Sequence, residues 1–173
     1  MKLSGRRLKR MIREVLQTNM ALMGLEVIYQ GIVKAILPPA LIDHVKSFEL
    51  PLNAIRLNDA NLHVTLLHQS AFKDPALRPH RKTLKKSVLN RYNGPMQFLP
   101  TVINRKDPVL NRESWVLYVD EATQEALEDY VLSMIESLAP GQGQLIVDTY
   151  DAGRRFHVSL ANLTGNTNDS VRQ

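Results

Sequence analysis

The chain has 173 residues, with 22 Lys and Arg against 17 Asp and Glu, for a formal net charge of +5. That length fits one domain with a sizeable core, and no apolar run approaches the roughly 18 residues needed to cross a bilayer. The lack of cysteine excludes disulfide frameworks, thiolate metal sites and a cysteine nucleophile, and makes a reducing compartment, the cytoplasm, the expected location.

In chain order, Leu8, Ile12, Val15, Leu16 and Met20 recur at helical spacing and predict an amphipathic helix over 5–20 with Ser4 as cap. It is basic but has no continuous apolar core, so it reads as part of the mature protein and not as a secretory signal. "LEVIYQGIVKAIL" (25–37) is rich in β-branched residues and predicts a strand ended by Pro38 and Pro39. A short helix over 40–48 follows, then a strand within "LHVTLLH" (62–68), a basic helix within 75–91, and a strand in "PMQFLPTVIN" broken by Pro100. "ESWVLYVD" predicts a further strand. The helix over 121–138 has the clearest periodicity, through Leu127, Tyr130, Val131, Met134, Ile135 and Leu138, with Asp120 as cap and Pro140-Gly141 as stop. A turn and loop lead to the last strand, "RFHVSLANL", and residues 166–173 read as a flexible polar tail. The whole is one domain: N-terminal helix (1–24), core (25–165) and tail.

Charge is unevenly spread along this chain. Residues 2–13 and 78–91 each carry six Lys and Arg, whereas 113–151 carries nine acidic residues and no Lys or Arg. An anionic partner is therefore drawn to part of the surface.

The histidines carry the chemistry. On a regular strand His63, Thr65 and Leu67 share one face, and Val64, Leu66 and His68 the other. His63 and His68 on opposite faces do not clasp one metal ion, which leaves His63 beside a hydroxyl. "His-Val-Ser-Leu" at 157–160 repeats "His-Val-Thr-Leu" at 63–66, and each follows a strand and a helix, a degenerate duplication. Phosphodiester cleavage needs one proton removed and another delivered, and imidazole, with a pKa near 6.5, serves either role at neutrality. Thr65 and Ser159 point with their histidines and are placed to donate hydrogen bonds to non-bridging oxygens. Either histidine fits either role. A single His-x-Thr on a strand means little; two at corresponding places outweigh the reading of packed core histidines.

The two tetrads, 94 positions apart, resemble those of the 2H phosphoesterase superfamily over roughly residues 25–165. "WVLYVDEATQEALEDY" and "FHVSLANLTGN" are similar to the phage anti-CBASS phosphodiesterases, which degrade cyclic di- and trinucleotide messengers of bacterial immunity. The resemblance implies an α+β fold of two lobes, duplicated strand-helix-strand units whose antiparallel sheets face a central cleft, with helices outside. It implies His63, Thr65, His157 and Ser159 as catalytic residues. It also implies a metal-independent enzyme without cofactor, cutting 3′-5′ bonds of cyclic oligonucleotides, in the bacterial host cytoplasm if phage-encoded. The alternatives are an RNA-end 2′,3′-cyclic or 2′-5′ phosphodiesterase, and a non-catalytic nucleotide- or RNA-binding module.

Four further residues are candidate substrate contacts. Tyr29 and Trp115 open the two lobes and offer rings for base stacking, or else pack. Lys34 meets phosphate or snorkels. Arg155 shares the face of His157 if the strand extends that far, which turns Arg154 outward. His68, His44 and His80 read as packed or solvated, the 78–91 run as a solvated face or an electrostatic attractor, and GQGQ (141–144) as a turn. The acidic residues fall on the outer side of helix 121–138, so no carboxylate cluster is expected in the cleft.

Overall fold

The computed structural model describes residues 24–84 and 89–171. The predicted helix over 5–20 lies outside the described residues. Within them, β1 (Leu25–Tyr29), β2 (Val33–Ile36), β3 (Ile55–Arg56), β4 (His63–Leu67), β5 (Leu89–Tyr92), β6 (Ile103–Asp107), β7 (Arg112–Tyr118) and β8 (His157–Asn162) form one open antiparallel sheet. The order across it is β5-β1-β2-β4-β8-β7-β6, with β3 also paired to β8. Among the described residues four helices, α1 (Pro39–Lys46), α2 (Arg81–Leu84), α3 (Glu121–Leu138) and α4 (Gly143–Tyr150), complete an α+β architecture. The two sheets expected to face each other are thus a single sheet, joined where β4 meets β8.

Both halves run hairpin, helix, central strand: β1–β2, α1 and β4, then β6–β7, α3 and β8. Strand alternation sends Val27, Ala35, Val64, Leu117 and Val158 to one face, where Leu41 and Val45 of α1, Leu127, Val131 and Ile135 of α3 and Ile146 of α4 bury them. Each of the valine, leucine and isoleucine side chains contributes about 1.5–3 kcal/mol by leaving water. Helix α3 begins and ends as its sequence predicts, with the Asp120 carboxylate accepting from the Thr123 N–H at 2.9 Å. Its acidic residues Glu121, Glu125, Glu128, Asp129 and Glu136 are all exposed.

Four elements differ from the sequence reading. Residues 25–37 are a hairpin, because Gly31 takes φ +83° and the Gln30 N–H donates to the Ile32 carbonyl, turning the chain inside an apolar run. Of "PMQFLPTVIN", Phe98 pairs only with Val119 and continuous pairing starts at Ile103, beyond Pro100. The basic segment is a 3₁₀ turn (Arg78–His80) and the one-turn helix α2, and the chain re-enters the sheet as β5. Helix α4 replaces the expected turn. Its sequence, GQLIVDTY, is a poor helix former, and its start is capped from α3 by the Glu136 carboxylate, which accepts from the Gly141 and Gly143 N–H groups. A Cβ on Gly143 would lie 2.6 Å from Glu136 Oε2, so a side chain there would displace the carboxylate that caps the helix.

Both central strands are kinked at the same place. Thr65 pairs with Lys34 and Leu67 with Val33, leaving Leu66 as the extra residue of a β-bulge. Ser159 pairs with Val116 and Ala161 with Trp115, leaving Leu160 extra in the same way. Leu66 and Leu160 are each the fourth residue of a tetrad, and both are buried.

Candidate active site

The pairing of β4 with β8 is anchored at Val64 opposite Val158. Antiparallel register then opposes the flanking residues, His63 to Ser159 and Thr65 to His157. These four are partly buried on the face away from the helices and line one cleft of about 840 Å³. They form a rectangle with imidazoles on one diagonal and hydroxyls on the other. Such a diagonal spans about 7–8 Å across the ladder and somewhat less between Cβ atoms, on the scale of one tetrahedral anion.

The environments of the two rings differ. His157 Nδ1 lies 3.0 Å from the Arg155 carbonyl and so carries the hydrogen, leaving the Nε2 lone pair 3.5 Å from Nη1 of Arg105. Burial lowers its pKa to about 4; the Arg155 carbonyl opposes this, and the guanidiniums of Arg105 and Arg154 add to it. His63 Nδ1 is buried with no hydrogen-bond partner among the described residues. Burial lowers its pKa to about 4 as well, the Lys34 ammonium and then His157 adding to the shift. The Asn61 carbonyl is near enough to oppose it but does not reach hydrogen-bond geometry with Nδ1. Both imidazoles are therefore neutral at pH 7, with values well below the ordinary 6.5 expected from sequence.

Of the four further candidates, Lys34 and Arg155 line the cleft. Lys34 pairs in register with Thr65, and partial burial lowers its pKa. Arg155 is exposed, its guanidinium 4.7 Å from the centre of the Tyr118 ring. Tyr29 and Trp115 do not reach the cleft. Tyr29 shares the core face with its partner Val33 and packs on Phe72, ring centres 4.8 Å apart. Trp115 shares the face of Leu117, which opposes core Val158, and is 3% exposed.

Two expectations about facing are overturned. The bulge at Leu66 advances the alternation by one residue, so His68 lines the cleft with His63 and Thr65, and is not on the reverse face. The argument that separate faces keep His63 and His68 from one metal ion therefore fails; among the described residues no group of three or more His, Asp or Glu is placed to hold a metal. Arg154 turns inward because β8 starts only at His157 and the preceding turn folds back. It pairs with Asp151 at 2.9 Å and donates to the Thr65 carbonyl at 2.8 Å. Burial raises the pKa of Asp151, and Arg154 opposes that shift.

Sequence reasoning missed Tyr118, Asp151 and Arg105. Alternation within "ESWVLYVD" placed Tyr118 opposite in sense to Trp115, a legible signal, and its ring meets the His157 ring edge-on at 5.6 Å. It also missed the chain end: Thr167, Asn168, Ser170 and Val171 line the cleft. The polar tail is held there by buried Asn162, which bonds the Thr164 and Gly165 N–H groups and Ser170 Oγ, and by the Val171 N–H donating to Ser114 Oγ at 2.7 Å. Of the basic segment, residues 78–84 stand outside the cleft lining. Among the described residues no helix is long and apolar enough to cross a membrane. Comparison of the chain with protein families, with curated proteins and with solved structures returned no match.

Proposed function

We propose that the cleft is the active site of a metal-independent phosphodiesterase of the 2H kind, opening 3′-5′-linked cyclic di- and trinucleotides and so counteracting bacterial CBASS immunity. The observation that carries this reading is the diagonal pair of imidazoles flanked by two hydroxyls. Matching hairpin-helix-strand halves, with a bulge at the fourth residue of each tetrad, support descent from a duplicated unit. Among the described residues, Lys34, Arg154 and Arg155 against the carboxylate of Asp151 give the lining a positive balance suited to an anion.

In this reaction one imidazole removes the proton of a ribose 2′-hydroxyl, whose oxygen attacks the adjacent phosphorus. The bond from phosphorus to the 5′-oxygen breaks, and the other imidazole supplies that oxygen with a proton. The ring opens to leave a 2′,3′-cyclic phosphate. Thr65 and Ser159 hold the non-bridging oxygens as charge builds on them.

The test is to incubate the protein in excess EDTA with cyclic di- and trinucleotides, 2′-5′ oligoadenylate and RNA ending in a 2′,3′-cyclic phosphate, with His157→Ala as the blank. Ring opening of the cyclic oligonucleotides is expected. Turnover confined to RNA ends or 2′-5′ bonds would move the substrate class. Turnover abolished by chelation and restored by Mg²⁺ or Mn²⁺ would end the two-histidine mechanism.

A further inference from the structure

We propose that Arg105 is a phosphate-binding residue of this site, its guanidinium standing beside Nε2 of His157 and placed to take a non-bridging oxygen of a phosphate held between the two histidines. This rests on the reading of the cleft as a phosphodiester site. The residue sits on β6, opposite Ser114, which in turn opposes Asn162, so it shares the sheet face that carries Tyr118, Ser159 and His157. From there its side chain crosses β7 and comes within 3.5 Å of His157 Nε2, at the edge of the cleft and outside the residues that line it.

The chemistry of the contact is one-sided. A guanidinium only donates, and the imidazole offers it a lone pair because its own hydrogen is held by the Arg155 carbonyl. At 3.5 Å this is a long, weak bond, and an anionic oxygen is a far better partner for a guanidinium. The charged and titratable groups around His157 are Arg105 from β6, Tyr118 from β7, Arg154 and Arg155 from the segment before β8, and His63 from β4. Arg154 pairs with Asp151 and donates to the Thr65 carbonyl, and the Arg155 guanidinium lies over the Tyr118 ring, so Arg105 is the guanidinium placed against Nε2 of His157.

Two consequences follow for His157. Before phosphate arrives, the guanidinium disfavours protonation of Nε2 and keeps its lone pair available. Once the guanidinium engages the anion, that opposition is cancelled and the ring takes up a proton more readily. Substrate binding and the proton affinity of His157 are thereby coupled through one side chain.

The experiment uses the full chain labelled with ¹⁵N-histidine, inorganic phosphate as probe, and the variants Arg105→Gln and Arg105→Lys. In the wild type, phosphate should shift the His157 ring signals and raise their titration midpoint. Arg105→Gln should raise the midpoint without phosphate, remove its response to phosphate, and weaken phosphate binding about 10- to 100-fold. Arg105→Lys, which keeps the charge without the fork, should recover part of both. On a cyclic dinucleotide the same order should appear in kcat/KM. Wild-type phosphate affinity in Arg105→Gln, or an unmoved His157 midpoint, overturns the proposal. If the wild type turns over none of the cyclic oligonucleotides while phosphate binding still depends on Arg105, the enzymatic reading fails and this one stands.

Discussion

The strand β4 and the strand β8 match position by position until one asks what holds each histidine. Each runs histidine, buried valine, hydroxyl, bulged leucine. Each then turns a polar residue, His68 or Asn162, back onto the N–H two positions later, that of Ser70 at 3.4 Å and that of Thr164 at 3.0 Å. The likeness stops at the rings. Nδ1 of His157 is tied to a carbonyl and its Nε2 faces Arg105, whereas Nδ1 of His63 has no partner among the described residues and the nearby cation is Lys34. A tied ring presents the same lone pair at every encounter, and an untied one is free to change tautomer. The backbone of the site is close to symmetric and its electrostatics are not.

The strongest test of that comparison is to remove each ring. His63→Ala and His157→Ala should each lower kcat about 10³-fold or more, and the double variant should lose little beyond the worse single, because the proposed mechanism has both serve one reaction. Rate constants for the three variants check this; near-full activity in either single variant would break the pairing.

Acid conditions come next. Both rings have pKa values lowered from 6.5 to about 4 by burial. Between pH 6.5 and 4 the unfolded chain takes up protons that the folded chain refuses, so stability rises with pH across that window. The contribution is complete above pH 6.5 and is lost as pH falls toward 4, on the order of 3 kcal/mol for each histidine. Urea unfolding at successive pH values should show this slope, and His63→Gln and His157→Gln should each remove about half of it. In turnover, kcat/KM should peak at more acidic pH than kcat, since bound phosphate raises the proton affinity of the pair.

The hydroxyls should matter less. Thr65→Val and Ser159→Ala should each reduce kcat about 10²-fold, as the loss of one donor to a developing oxyanion does. Equal losses would extend the symmetry to the transition state, and unequal ones would say which diagonal corner carries more charge. The smallest effect belongs to the two rings on the core face: Tyr29→Phe and Trp115→Phe should leave kcat/KM within about twofold. A drop in KM-limited turnover with Trp115→Phe would mean its face is misassigned.

The tetrads were legible because all their information is local: four consecutive residues on a strand declare both chemistry and facing. Helix α3 was legible for the same reason, its period and its Asp120 cap lying within one stretch. What escaped depends on neighbours distant in sequence. A bulge is defined by the strand opposite, so nothing in "LHVTLLH" reveals that Leu66 is the extra residue and that His68 turns to the cleft. Helix α4 depends on a carboxylate from α3, and Arg105 reaches His157 across 52 positions. Tyr29 and Trp115 carry the chemistry of base stacking, but strand alternation puts them on the faces of Val27 and Leu117, away from the cleft.

Across the join of β4 with β8 the ladder pairs Val64 with Val158, residues 94 positions apart, with Arg154 tying the Thr65 carbonyl nearby. The hairpins β1–β2 and β6–β7 close over a few residues and cost little chain entropy, whereas the central join closes a long loop. Folding should therefore finish the hairpins before it brings the two histidines together. Unfolding run backwards along that course parts the central strands first, so in rising urea the proposed turnover should stop, and the β4 amide hydrogens that face β8 should begin to exchange, while those paired with β2 and the circular dichroism of the sheet are still intact.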